Sequence, residues 1–100
     1  ILQGYPATYN DPALTTRTMQ AAEEYLGADK VQYVDMCMAG EDFAYFAQQI
    51  PGCFYLLGIQ NKQMGIDSFV HTPTFNIDEE VLAIAPGLMA WLVINELYKE

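Results

Sequence analysis

The stretch "GEDFAYFAQQIPGCFYLLGI", residues 40–59, decides the expected fold because a helix start and a strand follow one another within it. Gly40 permits a tight turn. Glu41 and Asp42 come next, where acidic side chains favour the positive end of a helix. These signals predict a helix that runs to about Ile50.

An apolar run follows the end of that helix. Pro51 and Gly52 terminate the helix, and the hydrophobic residues 53–59 continue to the next turn signals. Such a run predicts a strand that is buried on both faces of a sheet. A second strand is predicted at residues 30–36, which are rich in β-forming side chains, and the tail of another at residues 1–6.

A longer helix is predicted between the first strand tail and the second strand. Asp11 suits the N-cap, Pro12 the first helical position and Gly27 the position after the helix end. Apolar side chains recur between these limits at helical spacing. The pattern therefore predicts one amphipathic helix that begins at Pro12 and ends before Gly27.

The last predicted helix runs from about Asp78 to Tyr98. Asn76 and Glu79 have the spacing of a capping box, with Asn as the capping residue. Pro86-Gly87 within the helix predicts a kink or a break into two pieces. Because strands and helices alternate along the chain, the expected fold class is α/β, a mixed sheet with packed helices.

Composition and charge exclude several classes of protein. With 100 residues, 52% hydrophobic and 17% charged, the chain has the composition of one globular domain or of part of one. Its net charge is −9, with only four basic residues, so nucleic acid and acidic membrane surfaces would be repelled. We therefore expect no nucleic acid and no membrane among its partners.

The chain also lacks signals for secretion or membrane insertion. Its first ten residues resemble no signal peptide, and the apolar stretch at residues 81–94 is interrupted by Pro86 and Gly87. Cys37 and Cys53 show no disulfide-framework spacing. A reducing, cytoplasmic location is therefore expected.

Three polar features, at residues 39–43, at His71 and at residues 78–80, lie at predicted element boundaries, where α/β proteins often place ligands. Residues 39–43 form the turn before a helix, whose free N–H groups could hold a substrate carboxylate or an oxyanion. Glu41 and Asp42 would serve equally well as simple helix caps. The acidic run at residues 78–80 favours a structural role in the first turn of the last helix.

His71 is the only histidine of the chain. A neutral imidazole is a competent zinc ligand, but a lone histidine is more often a hydrogen-bonded or exposed residue. Cys37 and Cys53 are candidate thiolate ligands, although no spacing joins them to His71. Because a zinc site needs three or four protein ligands, a complete site from this chain alone is not expected.

Taken together, "MAGEDFAYFAQQIPGCFYLLGI" and "HTPTFNIDEE" resemble the C-terminal end of the zinc-dependent aminoacylase and carboxypeptidase superfamily. The most similar branch contains hippurate hydrolase and the N-acyl-amino-acid and auxin-conjugate amidohydrolases. Its ordered motifs are a Gly-Glu-Asp-Phe helix start, a Pro-Gly-x-Phe strand leading to Leu-Gly, and His-[Ser/Thr]-Pro-x-Phe. The matching residues are Gly40, Glu41, Asp42, Phe43, Pro51, Gly52, Phe54, Leu57, Gly58, His71, Thr72, Pro73 and Phe75.

The resemblance implies a metallopeptidase-type catalytic domain that is interrupted by a smaller lid or dimerisation domain. Residues 1–5 would end the inserted domain, and residues 6–100 would form the C-terminal part of the catalytic domain. His71 inherits the role of a metal ligand. Gly40 and Glu41 inherit a place beside the substrate.

The reaction implied by the resemblance is hydrolysis of the amide of an N-acyl amino acid or small peptide. A divalent metal pair, usually zinc, with manganese, cobalt or nickel as alternatives, would polarise the carbonyl and activate water. The general base and the other ligands would come from the N-terminal half of the polypeptide. We therefore expect this chain to be inactive alone, with that half as its partner and a homodimer formed through the inserted domain.

The alternative is a small, non-catalytic, acidic α/β module for interaction or ligand binding. Such a module would be complete at this length and would unfold independently of zinc. The sequence starts at Ile1, without a Met, which favours the interpretation that the chain is part of a longer protein over that of a complete module.

Overall fold

The computed structural model describes residues 4–35 and 40–99, so residues 1–3, 36–39 and 100 lie outside the described part of the chain. Three α-helices lie within these two ranges: α1 at Pro12–Leu26, α2 at Phe43–Ala47 and α3 at Val81–Leu97. Short 3₁₀ turns lie at Ala28–Lys30 and Lys62–Met64. No strand occurs within the described ranges, where Asn61 and Ile66 form an isolated antiparallel bridge.

Helix α1 begins and ends as predicted from the sequence. The Asp11 carboxylate accepts a hydrogen bond of 2.9 Å from the Leu14 N–H, and Pro12 opens the helix. At the other end, Gly27 has φ +103 and its N–H donates to the Glu23 carbonyl at 2.8 Å. This backbone angle strains any residue with a Cβ, so the helix ends where glycine is required.

Helices α1 and α3 pack against each other around an aromatic contact. The Trp91 indole N–H donates to the Ala21 carbonyl at 2.8 Å, and the Trp91 and Tyr25 ring centroids lie 6.3 Å apart. A Cβ at Gly87 would lie 2.1 Å from the Tyr25 hydroxyl oxygen. Glycine at this position therefore permits the close approach of the two helices, beside the buried side chains of Ala21 and Leu88.

An ion network links the outer parts of the same two helices. Arg17 donates from Nε to Glu96 Oε2 at 3.1 Å and from Nη2 to Glu96 Oε1 at 2.8 Å. Lys99 Nζ donates to the same carboxylate. The hydrogen bonds from Arg17 and then Lys99 lower the pKa of Glu96 to about 2.

This lowered pKa predicts an acid-sensitive contact between α1 and α3. The network stabilises the fold above the unfolded-state pKa of a glutamate, roughly 4.3, and its contribution is lost as the pH falls toward 2. We expect Glu96→Gln to flatten the pH dependence of the melting temperature between pH 5 and 2. The effect will be modest because the carboxylate is solvent-accessible. An unchanged pH profile in the variant would contradict the assignment.

The predicted mixed sheet is wrong for the described residues. Residues 53–59 form no strand, although Asn10 donates to the Phe54 carbonyl at 3.0 Å and accepts from the Phe54 N–H at 2.8 Å. Residues 4–6 and 31–35 also lack strand structure, and Lys30 ends the 3₁₀ turn at Ala28–Lys30. The remaining residues of the two predicted strands, 1–3 and 36, lie outside the described residues. A strand needs a neighbouring backbone that completes its hydrogen-bond ladder, and β-forming composition alone does not supply one.

The predicted limits of the other two helices also need correction. Helix α2 ends at Ala47 and continues to Ile50 only as a turn, in which the Ile50 N–H donates to the Phe46 carbonyl at 3.1 Å. Helix α3 is one continuous helix with Pro86 inside it, so a break into two pieces is wrong, and the alternative, a kink at Pro86-Gly87, stays a prediction. Proline removes one backbone hydrogen-bond donor from the helix. The helix continues past Pro86, where the next residue, Gly87, packs against Tyr25 of α1.

The predicted capping box is wrong as well. Asn76 Oδ1 accepts from the N–H of its neighbour Ile77 at 2.9 Å, while Asp78 Oδ1 accepts from the Glu80 N–H at 3.1 Å. The helix therefore begins at Val81, after a turn over which Asp78 acts as the acceptor. Asp78 was a competing acceptor that the N-x-x-E spacing alone does not reveal.

Candidate functional site

His71 lies in the loop that connects the turn at Lys62–Met64 to helix α3. It is exposed, and it is the one non-glycine residue with positive φ, at +62, in the described part of the chain. Histidine is among the residue types that tolerate this left-handed region better than most. A backbone angle of this kind is held by its surroundings and frequently occurs at ligand-binding positions.

Short hydrogen bonds shape the tip of this loop around His71. The Thr72 hydroxyl donates to the Phe69 carbonyl at 2.7 Å, which closes a tight turn across His71. One step further out, the Ser68 and Thr74 hydroxyl oxygens lie 2.7 Å apart and share a hydrogen bond. The imidazole is therefore presented at the exposed tip of a loop that is braced by its own side chains.

The base of the same loop is closed by Asp78. Its N–H donates to the Ile59 carbonyl at 2.9 Å, and its carboxylate accepts from the Asn61 amide at 2.9 Å. The hydrogen bond from Asn61, followed by that from the Glu80 N–H, lowers the pKa of the Asp78 carboxyl. This role was not predictable from the sequence, because Asp78 is far along the chain from Ile59 and Asn61 and no motif spacing relates them.

The Gly40–Glu41 turn lies at the start of the short helix α2. Glu41 Oε1 accepts from the Phe43 N–H at 3.2 Å, so the carboxylate already satisfies one free donor of that helix. The Tyr5 ring covers Gly40, where an added Cβ would lie 2.6 Å from Tyr5 Cδ2. Tyr5 in turn makes an edge-on contact with Tyr45 at 5.8 Å between ring centroids.

No hydrogen bond joins the His71 loop to the Gly40–Glu41 turn among the described residues. A cavity of about 770 Å³ lies between α1, α3 and residues 53–60, and another of about 520 Å³ lies between α1 and α3. Neither cavity is lined by His71, Gly40 or Glu41. The predicted metal ligand and the predicted substrate residues therefore share neither a hydrogen bond nor either of these two cavities in the described structure.

The donor chemistry around His71 fits a single metal ligand and not a whole site. Across residues 4–35 and 40–99, no group of three or more His, Cys, Asp or Glu side chains could hold a metal ion. Cys53 is a half-buried free thiol, and Cys37, the other candidate thiolate, lies outside the described residues. An exposed imidazole on a braced loop can bind a metal whose remaining ligands come from elsewhere.

The chain is similar to known proteins over a range that includes the motifs at residues 40–59 and 71–80. Residues 1–95 match the sequence profile of peptidase family M20/M25/M40. The chain is 33% identical over 86 residues to IAA-amino acid hydrolase ILR1-like 6 of Arabidopsis thaliana, which covers 86% of the chain and 18% of that protein. It is 35% identical over 93 residues to the putative amidohydrolase YhaA of Bacillus subtilis, covering 93% of the chain and 24% of that protein.

An uncharacterized hydrolase of Staphylococcus epidermidis, SERP0968, is 34% identical over 102 aligned positions, covering 98% of the chain and 25% of that protein. The chain thus spans a quarter or less of the length of these relatives. No solved structure matches it with significance. In the described residues, no helix has both the length and the hydropathy needed to cross a membrane. The family match extends over nearly the entire chain, and the chain is therefore a member of peptidase family M20/M25/M40.

Proposed function

We propose that the chain works as part of a metal-dependent amidohydrolase that cleaves the amide of N-acyl amino acids or small peptides in the cytoplasm. The observation that carries this proposal is the match of residues 1–95 to a peptidase family, together with relatives named as amidohydrolases. The name of one relative gives an amino-acid conjugate as its substrate. We extend that class of substrate to the enzyme that carries this chain.

His71 has the role of one metal ligand in this proposal. Its exposed position at the tip of a braced loop leaves the imidazole accessible to a metal held by other residues. When bound, a divalent metal pair, which we propose to be zinc, polarises the amide carbonyl and lowers the pKa of water. Gly40 and Glu41 are proposed to border the substrate, on a turn whose position is fixed by the Tyr5 ring.

The remainder of a longer polypeptide is the proposed partner of this chain, and a dimer would form through its inserted domain. The described residues expose many large apolar side chains, among them Leu56 at 67% and Phe46 at 65%. The chain is also flat, with extents of 45 × 42 × 20 Å. An independent module of this size would bury more of its apolar surface, so these faces are suited to cover by further protein.

Removal of metal provides the direct test of this function. We expect the enzyme that carries this chain to release the amino acid from an N-acyl amino acid such as N-benzoylglycine. Prolonged dialysis against a chelator should abolish the rate, and added zinc should restore it. Hydrolysis that survives complete metal removal, verified by elemental analysis of the dialysed protein, would contradict the proposed function.

A further inference from the structure

Asp78 uses each of its hydrogen-bonding groups to hold the ends of one loop together. Its N–H donates to the Ile59 carbonyl at 2.9 Å, and Oδ2 accepts from the Asn61 amide at 2.9 Å. Oδ1 accepts from the Glu80 N–H at 3.1 Å, and its carbonyl accepts from the Val81 N–H at 3.1 Å. Asp78 therefore binds the segment before the loop through its N–H and Oδ2, and the start of α3 through its Oδ1 and carbonyl.

These bonds close residues 60–77 into a loop whose base is attached to a long helix. The loop contains His71, and its tip is organised separately by the Thr72–Phe69 hydrogen bond. A loop whose ends are held close together has less conformational freedom than one tethered at a single end. The contacts of Asp78 thus connect the base of the loop that carries the imidazole to the start of α3.

We propose that Asp78 is the positioning residue of the His71 loop, whose carboxylate, bridging Asn61 and the start of α3, fixes where the imidazole is presented to the metal. The inference rests on the proposed role of His71 as a ligand. Asp78 itself lies at the loop base, so it acts through the backbone and touches neither metal nor substrate. Groups that orient a ligand without touching the metal influence metal affinity, and Asp78 would do so through the loop backbone.

The two acceptor oxygens explain why a carboxylate is needed at this position. A carboxylate accepts from Asn61 and from the Glu80 N–H simultaneously, and both hydrogen bonds are strengthened by its charge. Asparagine has one acceptor oxygen and one amide group. In Asp78→Asn, the oxygen can keep the contact with Glu80, but the amide would then face the amide of Asn61.

Exchanging the side chains of Asn61 and Asp78 tests whether the hydrogen bond between them can be restored. In the double variant Asn61→Asp with Asp78→Asn, the carboxylate at position 61 accepts from the amide at position 78, so the bridge returns with its polarity reversed. The oxygen at position 61 that accepts from the Met64 N–H, at 3.3 Å in this structure, is also retained. Glu79→Gln is the matched control, since it removes one negative charge from an exposed neighbouring residue.

The experiment measures zinc affinity by chelator competition and amide hydrogen exchange in residues 62–77, on the enzyme that carries this chain. We expect Asp78→Asn to weaken zinc binding by up to about 10-fold, the lower end of the loss seen when a group that hydrogen-bonds a ligand directly is removed, and to accelerate exchange in the loop. The exchanged pair should restore most of the zinc affinity and most of the protection of the loop from exchange. Glu79→Gln should change neither quantity. His71→Ala is measured beside them as the reference for loss of the ligand.

The outcomes separate the inference from the function on which it rests. If His71→Ala loses zinc while Asp78→Asn keeps both wild-type affinity and wild-type loop exchange, the positioning role of Asp78 is overturned and the proposed function stands. If His71→Ala binds zinc like the wild type, the ligand role fails, and with it the inference. Failure of the exchanged pair to recover either quantity also counts against the carboxylate bridge.

Discussion

The replacement of His71 by alanine in the enzyme that carries this chain is expected to weaken zinc binding at one site by at least about 100-fold, and to remove most activity. Loss of a partner that only supports a ligand costs about 10- to 100-fold in affinity, so loss of the ligand itself should cost at least as much. The measurement is zinc content after gel filtration, combined with the rate of hydrolysis at saturating N-acyl amino acid.

The backbone of His71 requires a second variant as a control. Because φ is +62, alanine would be strained at this position for reasons unrelated to the imidazole. Asparagine tolerates the left-handed region and lacks the ring. His71→Asn should therefore lose zinc with little change in melting temperature, and a His71→Asn enzyme with full zinc content and rate would refute the ligand role.

Leu88→Ala is expected to produce the largest loss of stability, about 2–5 kcal/mol. Leu88 is only 3% exposed and, with Thr18 and Met19 of α1, lines the larger cavity beside the two helices. Truncation would remove its apolar contacts and leave a void that the neighbouring helices cannot fill without moving. Because small domains are stable by only about 5–15 kcal/mol, a loss of this size consumes a large fraction of the total.

Leu82→Ala provides the matched control, with the same change in the same helix. Leu82 is 61% exposed, so its truncation should alter the free energy of unfolding of this chain by no more than about 0.5 kcal/mol. Both values come from urea unfolding of the 100-residue chain, followed by circular dichroism. Equal losses for the two variants would mean that burial on α3 differs from the described packing.

Helix ends were predictable where a single side chain or a required backbone angle defines them. Asp11 and Gly27 mark the two ends of α1, and both predictions are confirmed. The start of α3 was harder to predict, because Asn76, Asp78 and Glu79 all offer acceptor oxygens within one short segment. Which acceptor meets a free N–H depends on the path of the loop, and that path is fixed by Ile59, a distant residue.

Strands were not predictable from composition for a related reason. Residues 53–59 have the hydrophobicity of a buried strand, but a strand exists only where a second backbone pairs with it. In the described structure, this segment is held at Phe54 by the side chain of Asn10 instead. Pairing between distant segments is a property of the assembled chain and cannot be read from a local window.

The candidate site was predicted in part through resemblance. His71, Gly40 and Glu41 came from ordered motifs, and their roles stay predictions. The exposure and backbone angle of His71 were not predictable, since they follow from the hydrogen bonds around Thr72. The function of Asp78 at the loop base was hidden because its position in an acidic run suggested only a favourable first helical turn.

The ion network between α1 and α3 has a consequence for the approach of the proposed substrate. Arg17 and Lys99, two of the four basic side chains, are both engaged by Glu96 in a chain of net charge −9. The long-range field of this chain therefore repels an anionic N-acyl amino acid, over the roughly 8 Å that physiological salt leaves unscreened. For the proposed anionic substrate, the net charge of this chain therefore opposes electrostatic steering, and added salt would weaken that opposition.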